Sequence, residues 1–365
     1  MKMAHEIAVI PGDLNGITVT EATLKIVEAL GPKLKKEINH TTFKYDAEYF
    51  IENNITELGD KELGELKKYD QIFLGAIGNP NVIKPGILEI GILLKIRQAF
   101  DQYVNLRPIA LPEGVPSVIV GKGSDEINFE ICRENSEGLY VDEGHVENEG
   151  TDEEVAYQVM RCSYRGVKRL AEYAKERAKL RNKKGGPKVH FVFKTNVLLH
   201  ASSPWNRVMK ELKEEGEVQV EYMHVDNFGM QMIIRPEQFD VVITENMFGD
   251  IMTDIGAVIQ GGIGTAVSGN INPTGEFPGM FEPLHGTAPD RWFNEKGEKD
   301  EELIQTVKCE AATLSYSMML EQIGEVEAAA LLKEAALNNI RNPNYKTMKL
   351  NDLVDAAINY IKSKC

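Results

Sequence analysis

Residues 218–259 read VQVEYMHVDNFGMQMIIRPEQFDVVITENMFGDIMTDIGAVI. Val218–Val225 reads as a strand, and Phe239–Ile243 as another with the length and β-branched content of a buried one. The second leads into Met247–Ile259, whose apolar spacing is helical. The same order recurs outward from this stretch. Upstream, His190–Lys194 reads as a strand and Pro204–Glu215 as a helix. At the start of the chain, Glu6–Ile10 runs into a Pro11-Gly12 turn, and Thr20–Leu30 has helical spacing stopped by Gly31-Pro32. Asp70–Ile77 is another buried strand, broken by Gly78–Asn81, and Leu88–Phe100 reads as a helix. Pro116–Val120 and Ile127–Cys132 read as strands. Glu154–Arg181 reads as one long charged helix closed by the Gly/Pro-rich loop Lys183–Lys188, and Glu295–Glu302 as a solvated loop. Strands alternating with helices predict an α/β protein with a largely parallel sheet.

The chain has 365 residues, a length that suggests two domains, and a formal charge of −15. That charge argues against a phosphate-backbone binder, whose footprint is basic. Hydrophobic content of 42% and charged content of 27% are those of a globular protein. No apolar run is long enough to span a bilayer, and the first residues lack the pattern of a signal peptide. Cys132, Cys162, Cys309 and Cys365 lie far apart without metal-ligand spacing, which suits reduced thiols in a cytoplasmic protein.

Three arginines stand near predicted element ends. Arg97 lies on an otherwise apolar helix, Arg107 precedes Pro108, and Arg133 follows the strand Ile127–Cys132. Guanidinium forks pair bidentately with carboxylates, so such a cluster suits a di- or tricarboxylic acid. For any one of them, an ordinary ion pair is the commoner use. Asp250 and Asp254 are four residues apart in a predicted helix, on one face, and a cation between them relieves their repulsion. Asp226 follows a strand and offers a third carboxylate. Oxygen-only donors suit Mg²⁺ or Mn²⁺. Lys194 ends an apolar run and is a candidate base, and Tyr140 is a candidate proton donor. Gly12–Gly16 follows a strand and precedes a helix but is not G-x-G-x-x-G, so the dinucleotide fingerprint is absent. Phe281–Asp290 is a turn-rich segment with one histidine, His285, suited to close approach of backbone to a ligand.

Five stretches in order carry a resemblance: Leu93–Pro108, Arg133–Gly138, Val225–Gln231, Asn246–Gly256 and Phe281–Asp290. Together they resemble the β-decarboxylating dehydrogenases that act on isopropylmalate, isocitrate, homoisocitrate, tartrate and D-malate. The resemblance implies an isopropylmalate-dehydrogenase-like fold, two α/β domains sharing a large mixed sheet, rather than a Rossmann fold. Residues 1–104 plus 259–365 would form the cofactor-side domain, and 105–258 the central substrate and dimerisation domain. Arg97, Arg107 and Arg133 would hold the substrate carboxylate that leaves as CO₂. Asp226, Asp250 and Asp254 would bind the divalent metal. Lys194 would serve the general base, and Tyr140 would protonate the enol carbon. His285, Gly286, Thr287, Ala288, Pro289 and Asp290 would bind the cofactor, Asp290 selecting NAD through the adenosine ribose hydroxyls, with K⁺ as a candidate further ion. The partner would be a second copy of the chain, with Lys194 and Asp226 crossing into its site.

Within the family, the Gly91–Arg97 spacing and Phe100–Asn105 look most like the tartrate/D-malate branch. The expected reaction is therefore NAD-linked oxidative decarboxylation of a malate-type 2-hydroxy acid. Ile90, Ile92 and Leu93 also suit an alkyl group, which keeps 3-isopropylmalate or another substituted malate as the alternative, alongside a non-catalytic regulatory homologue. Leu88–Leu94 lacks the polar pair of isocitrate enzymes. Two stretches depart from the family pattern. Gly12–Thr18 stands where the family has Gly-Asp-Gly-Ile-Gly-Pro-Glu, and Arg291–Glu310 is longer, acidic and without the Asn-Pro that follows in the family.

Overall fold

The computed structural model describes residues 4–365. In chain order it runs β1 (Ala4–Ile10), α1 (Asn15–Glu28), β2 (Glu37–Thr42), α2 (Ala47–Glu52), α3 (Asp60–Leu66) and β3 (Gln71–Leu74). A π-turn over Glu89–Leu94 leads into α4 (Lys95–Ala99), then β4 (Val104–Ala110), β5 (Asn128–Glu134), β6 (Gly144–Glu147) and β7 (Val155–Gln158). Next come α5 (Tyr164–Arg181), β8 (Lys188–Phe193), α6 (Ser202–Glu215), β9 (Gln219–His224), α7 (Val225–Ile234), β10 (Val241–Thr244) and α8 (Asn246–Ile259). The chain ends with β11 (Val267–Ile271), β12 (Gly279–Pro283), α9 (Glu301–Ile304), α10 (Glu310–Gln322), α11 (Val326–Arg341) and α12 (Leu350–Lys362).

These elements divide into two compact units. The first comprises residues 1–102, 112–116 and 261–365, and the second residues 103–111 and 117–260. In the first unit the strand order is β2-β1-β3-β12-β11. All neighbours pair in parallel except β11 with β12. Both faces of this sheet are covered, so its strands read as nearly continuous apolar runs. Ala8, Ile10, Ile72, Leu74 and Met280 pack on Phe50, Leu63, Leu88, Ile92 and Ile96. Phe73, from the alternate register, meets Tyr316 of α10 edge-on.

In the second unit the order is β4-β5-β10-β8-β9, parallel except for β4 with β5. Alternation along β5 sends Glu130 toward Arg177 and Arg181 of α5, and Arg133 toward α8. Two helices thus read the two faces of one strand. Gly256 lets α8 close on β4, because a Cβ there would lie 2.1 Å from Cδ1 of Ile109.

Two sequence expectations are corrected and a third is refined. Pro116–Val120 is not a strand: Ser117 Oγ accepts from Ile119 N in a local turn, and Val118 and Val120 are exposed. The helix expected over Glu154–Arg181 starts only at Tyr164, where Ser163 caps it by accepting from Gly166 N at 2.9 Å. Residues 155–158 instead pair antiparallel with 144–147 in a hairpin. Leu88–Phe100 is helical, but its first part is a π-turn, and within it Gly91 lies where a Cβ would be 2.2 Å from the Thr56 carbonyl oxygen. No helix of the described residues is long and apolar enough to cross a membrane.

Candidate active site

In the second unit the site grows from the C-terminal end of β5. Parallel pairing sets Arg133 beside Thr244 of β10, and the chain leaves β10 directly into α8. Glu245 caps that helix, its carboxylate accepting from Phe248 N at 2.8 Å. Asn246, Asp250 and Thr253 then form one stripe at helical spacing. Arg133 donates from Nε and Nη2 to Asn246 Oδ1 at 3.0 and 2.7 Å, and from Nη1 to Asp250 Oδ1 at 2.5 Å. Arg107 donates to Thr253 Oγ1 and lies 3.4 Å from Asp250 Oδ1. Tyr140 donates its hydroxyl to Asp250 Oδ2 at 3.0 Å, its ring beneath the Arg133 guanidinium.

Arg107 and Arg133 are buried, whereas Asp250 is half-buried and Asp254, one turn on, is exposed. The helix comes this close because residue 249 is glycine. A Cβ there would lie 2.5–2.9 Å from Cβ, Cγ and Cδ of Arg133. Gly138, at φ 87°, similarly lets the loop before Tyr140 pass Glu245 and Asn246. Burial and the neighbouring Asp250 charge raise the Tyr140 pKa, so its proton is retained. Burial also raises Glu245, against the backbone N–H groups that lower it. Glu134, fully buried, is pushed up to about 6 by desolvation although Ser136 and Glu137 donate to it.

Of the expected residues, the second unit therefore gathers Arg107, Arg133, Tyr140 and Asp250, with Asp254 on the same helix. Lys194 and Asp226 pair with each other, at 2.8 Å, beyond the ends of the paired strands β8 and β9. That hydrogen bond is the first cause of a lowered Asp226 pKa. Among the described residues no three His, Cys, Asp or Glu side chains converge on a point that would hold a metal. Asp250 and Asp254 nevertheless offer the hard oxygen donors that Mg²⁺ and Mn²⁺ prefer.

Arg97 belongs to the first unit. It is buried and donates to Glu282 Oε1 at 3.1 Å, an oxygen that also accepts from Asn270 Nδ2 at 2.9 Å. The first unit also holds the expected cofactor segment. Asp13 accepts from Ala47 N and Gly78 N, Thr287 Oγ1 donates to the Gly78 carbonyl, and Asn15 Nδ2 donates to the carbonyls of Thr287 and Ala288. The loops after β1, β3 and β12 are thereby laced together. Burial lowers the His285 pKa, and Asp290 is exposed. Leu14 takes φ 49° and ψ −122°, a region that favours glycine. Arg291–Asp300 folds as a finger closed by Asp300 N donating to the Trp292 carbonyl.

Sequence reasoning missed Asn246, Thr253 and Glu282, the partners that fix the arginines. The i, i+4, i+7 stripe of Asn246, Asp250 and Thr253 was the available signal for two of them. Nothing local signals Glu282.

A carboxylate held between buried guanidiniums on an α/β scaffold is the setting of an enzyme that handles small acids. The chain belongs to the isocitrate/isopropylmalate dehydrogenase family, whose model matches residues 6–364, and this places it among the decarboxylating dehydrogenases. It is 40% identical over 337 residues to 3-isopropylmalate dehydrogenase of Thermobifida fusca, covering 92% of this chain and 91% of that one. It is 39% identical over 357 residues to the enzyme of the same name from Corynebacterium urealyticum, covering 97% and 99%. The crystal structure of isocitrate dehydrogenase from Methylococcus capsulatus matches with a TM-score of 0.82 at 27% identity, covering 98% of this chain and 99% of that one. These relatives favour the 3-isopropylmalate alternative over the D-malate/tartrate reading of Gly91–Arg97.

Proposed function

We propose that this chain catalyses the NAD-linked, divalent-metal-dependent oxidative decarboxylation of an alkyl-substituted malate of the 3-isopropylmalate type. The carrying observation is the pair of buried arginines converging with the Tyr140 hydroxyl on one half-buried carboxylate, Asp250. The names of the curated relatives support the substrate. So does the π-turn before Arg97, where Ile90 is 61% exposed and Leu93 and Leu94 are half-buried with no polar pair beside them.

Arg107 and Arg133 bind the carboxylate of the substrate that is lost, and Thr253 and Asn246 hold their forks in a fixed plane. Within the first unit, Glu282 orients Arg97, a further guanidinium suited to a substrate carboxylate. Asp250 and Asp254, with Asp226 of a second copy, would hold a divalent metal, which would supply Lewis acidity, and the dinucleotide would supply the hydride acceptor. Lys194 of the second copy takes the hydroxyl proton. Tyr140 keeps its proton until CO₂ has left and then gives it to the enol carbon. The His285–Asp290 segment binds the dinucleotide, and Asp290 pairs with the ribose hydroxyls.

A homodimer is part of this reading. Met230, Ile233 and Ile234 of α7 and Ile251 and Val258 of α8 are exposed apolar side chains on two helices that pack together. Every residue of the β6–β7 hairpin is exposed.

The test is a turnover screen at 340 nm with Mg²⁺ or Mn²⁺ and K⁺. It uses NAD⁺ or NADP⁺ against 3-isopropylmalate, D-malate, tartrates, isocitrate and homoisocitrate. NADH formation with 3-isopropylmalate, abolished by a chelator, is the expected result. Turnover of D-malate or tartrate instead would reassign the substrate, and silence across the panel would overturn the reading.

A further inference from the structure

The amide of Asn15 makes an uncommon pair of bonds. Its Nδ2 donates to the carbonyl of Thr287 at 3.0 Å and to that of Ala288 at 2.9 Å. These are the two peptide carbonyls that flank the Cα of Ala288. Fixing both of them fixes both backbone dihedrals of that residue. Ala288 lies in the left-handed region, at φ 44° and ψ 68°, where a Cβ is unfavourable. Asn15 itself is 1% exposed, and its Oδ1 is buried without a hydrogen-bond partner. The amide orientation is therefore set by its donors, since a flipped amide would press an oxygen against two carbonyls. The turn Pro289–Arg291, with Asp290, begins from the conformation that Ala288 is made to hold.

We infer that Asn15 is a positioning residue for dinucleotide binding: it clamps Ala288 in the left-handed conformation and so sets where the Asp290 carboxylate points. This rests on the reading of His285–Asp290 as the dinucleotide segment. Asn15 touches no reacting atom in this account and acts only through Ala288.

The experiment is a double-mutant cycle between Asn15→Leu, which keeps the side-chain shape and removes both donors, and Ala288→Gly, which removes the Cβ penalty. NADH binding is read by energy transfer from tryptophan, of which the chain has two, with Trp292 lying just beyond Asp290. Without the clamp, an alanine leaves the left-handed well. Asn15→Leu then weakens NADH binding about five- to thirtyfold, from the cost of that well for an L-residue. In the Ala288→Gly background the same change costs about twofold, because glycine populates both hands about equally. In turnover assays the KM for NAD rises while kcat and the KM for the acid hold.

Equal losses in both backgrounds would overturn the inference, as would no loss in either. Amide hydrogen exchange over 286–291 supplies a readout that needs no cofactor. It quickens in Asn15→Leu, and much less so relative to Ala288→Gly when both changes are present. If the unmodified protein binds no dinucleotide, the functional reading fails on its own, and the exchange data still decide whether Asn15 clamps Ala288. Asn15→Ala repeats the cycle if the leucine variant fails to fold.

Discussion

Gly249→Ala separates the two things that α8 does. In a helix interior, alanine is favoured over glycine by about 1 kcal/mol. Here the added methyl would sit 2.5 Å from Cγ, 2.8 Å from Cβ and 2.9 Å from Cδ of Arg133, inside any real contact distance. Arg133 is 1% exposed, and its guanidinium is bonded to Asn246 and Asp250, so it has nowhere to swing. Overpacking of this kind costs about 1–3 kcal/mol. The net loss of stability is therefore about 0–2 kcal/mol, a melting shift of a few degrees in a chain of this size. The effect on catalysis is larger, because a shift of about 1 Å in a substrate-holding group costs about a hundredfold in rate. Calorimetry and kcat/KM on the same preparation test this. The expected signature is a nearly native melting temperature with kcat/KM down about a hundredfold. A variant that melts higher and turns over normally would refute the packing of α8 on Arg133 as the device that positions it.

Four further outcomes follow from the same geometry. Tyr140→Phe removes the proposed proton donor and leaves Asp250 with its arginines, so overall turnover falls about 10²–10⁴-fold with little change in melting temperature. Lys194→Met and Asp250→Asn are each inactive alone, and mixing them after dissociation and reassociation restores up to about a quarter of full activity, because random pairing makes half the dimers mixed with one intact site each; no recovery in verified mixed dimers refutes a shared site. Glu134 carries a folded pKa of about 6 against an ordinary 4.5. The folded state therefore binds more protons than the unfolded one between those values, and this group's contribution to stability falls by about 2 kcal/mol as pH rises through that window and is level above it. Glu134→Gln flattens that slope in denaturant titrations from pH 4.5 to 7, and an unchanged slope refutes the assignment. Ile90→Ser lowers kcat/KM for 3-isopropylmalate by roughly tenfold relative to D-malate, from the loss of one apolar contact with the alkyl group, and an unchanged ratio removes Ile90 from the substrate pocket.

Most of the core strands were legible because both faces of each sheet are covered, which leaves unbroken apolar runs such as Ile7–Ile10 and Val241–Ile243. The β6–β7 hairpin was not, because its eight strand residues are all exposed and nothing in their polarity marks an inward side. The π-turn was hidden for the opposite reason. Glu89–Leu94 is so largely apolar that a change from α to π spacing leaves its pattern readable either way, and its close neighbour at Gly91, the backbone of Thr56, is far off in sequence. In the site, Arg133, Asp250 and Tyr140 could be picked out by residue type, because guanidinium, carboxylate and phenol announce their chemistry. What holds them could not. Asn246 and Thr253 are small polar residues whose roles depend on helix phase, and Glu282 reaches Arg97 across 185 positions of sequence. The family resemblance carried over roles, whereas the Asn15 tie lies where this chain leaves the family pattern, so no motif could supply it.

The place of β12 has a consequence during synthesis. It is the strand that pairs with β3, yet it emerges about two hundred residues later, after the whole second unit has been made. At roughly 5–20 residues per second, the open edge of β3 waits some 10–40 s on the ribosome for its neighbour. The second unit has all its strands contiguous in time and can complete its sheet order in one pass of synthesis. The first unit is an unfinished sheet throughout that interval, its unpaired edge a template for other chains. The N-terminal third of this protein should therefore be the part that ribosome-associated chaperones occupy, and slowing translation after residue 102 should lower its soluble yield more than slowing it after residue 283.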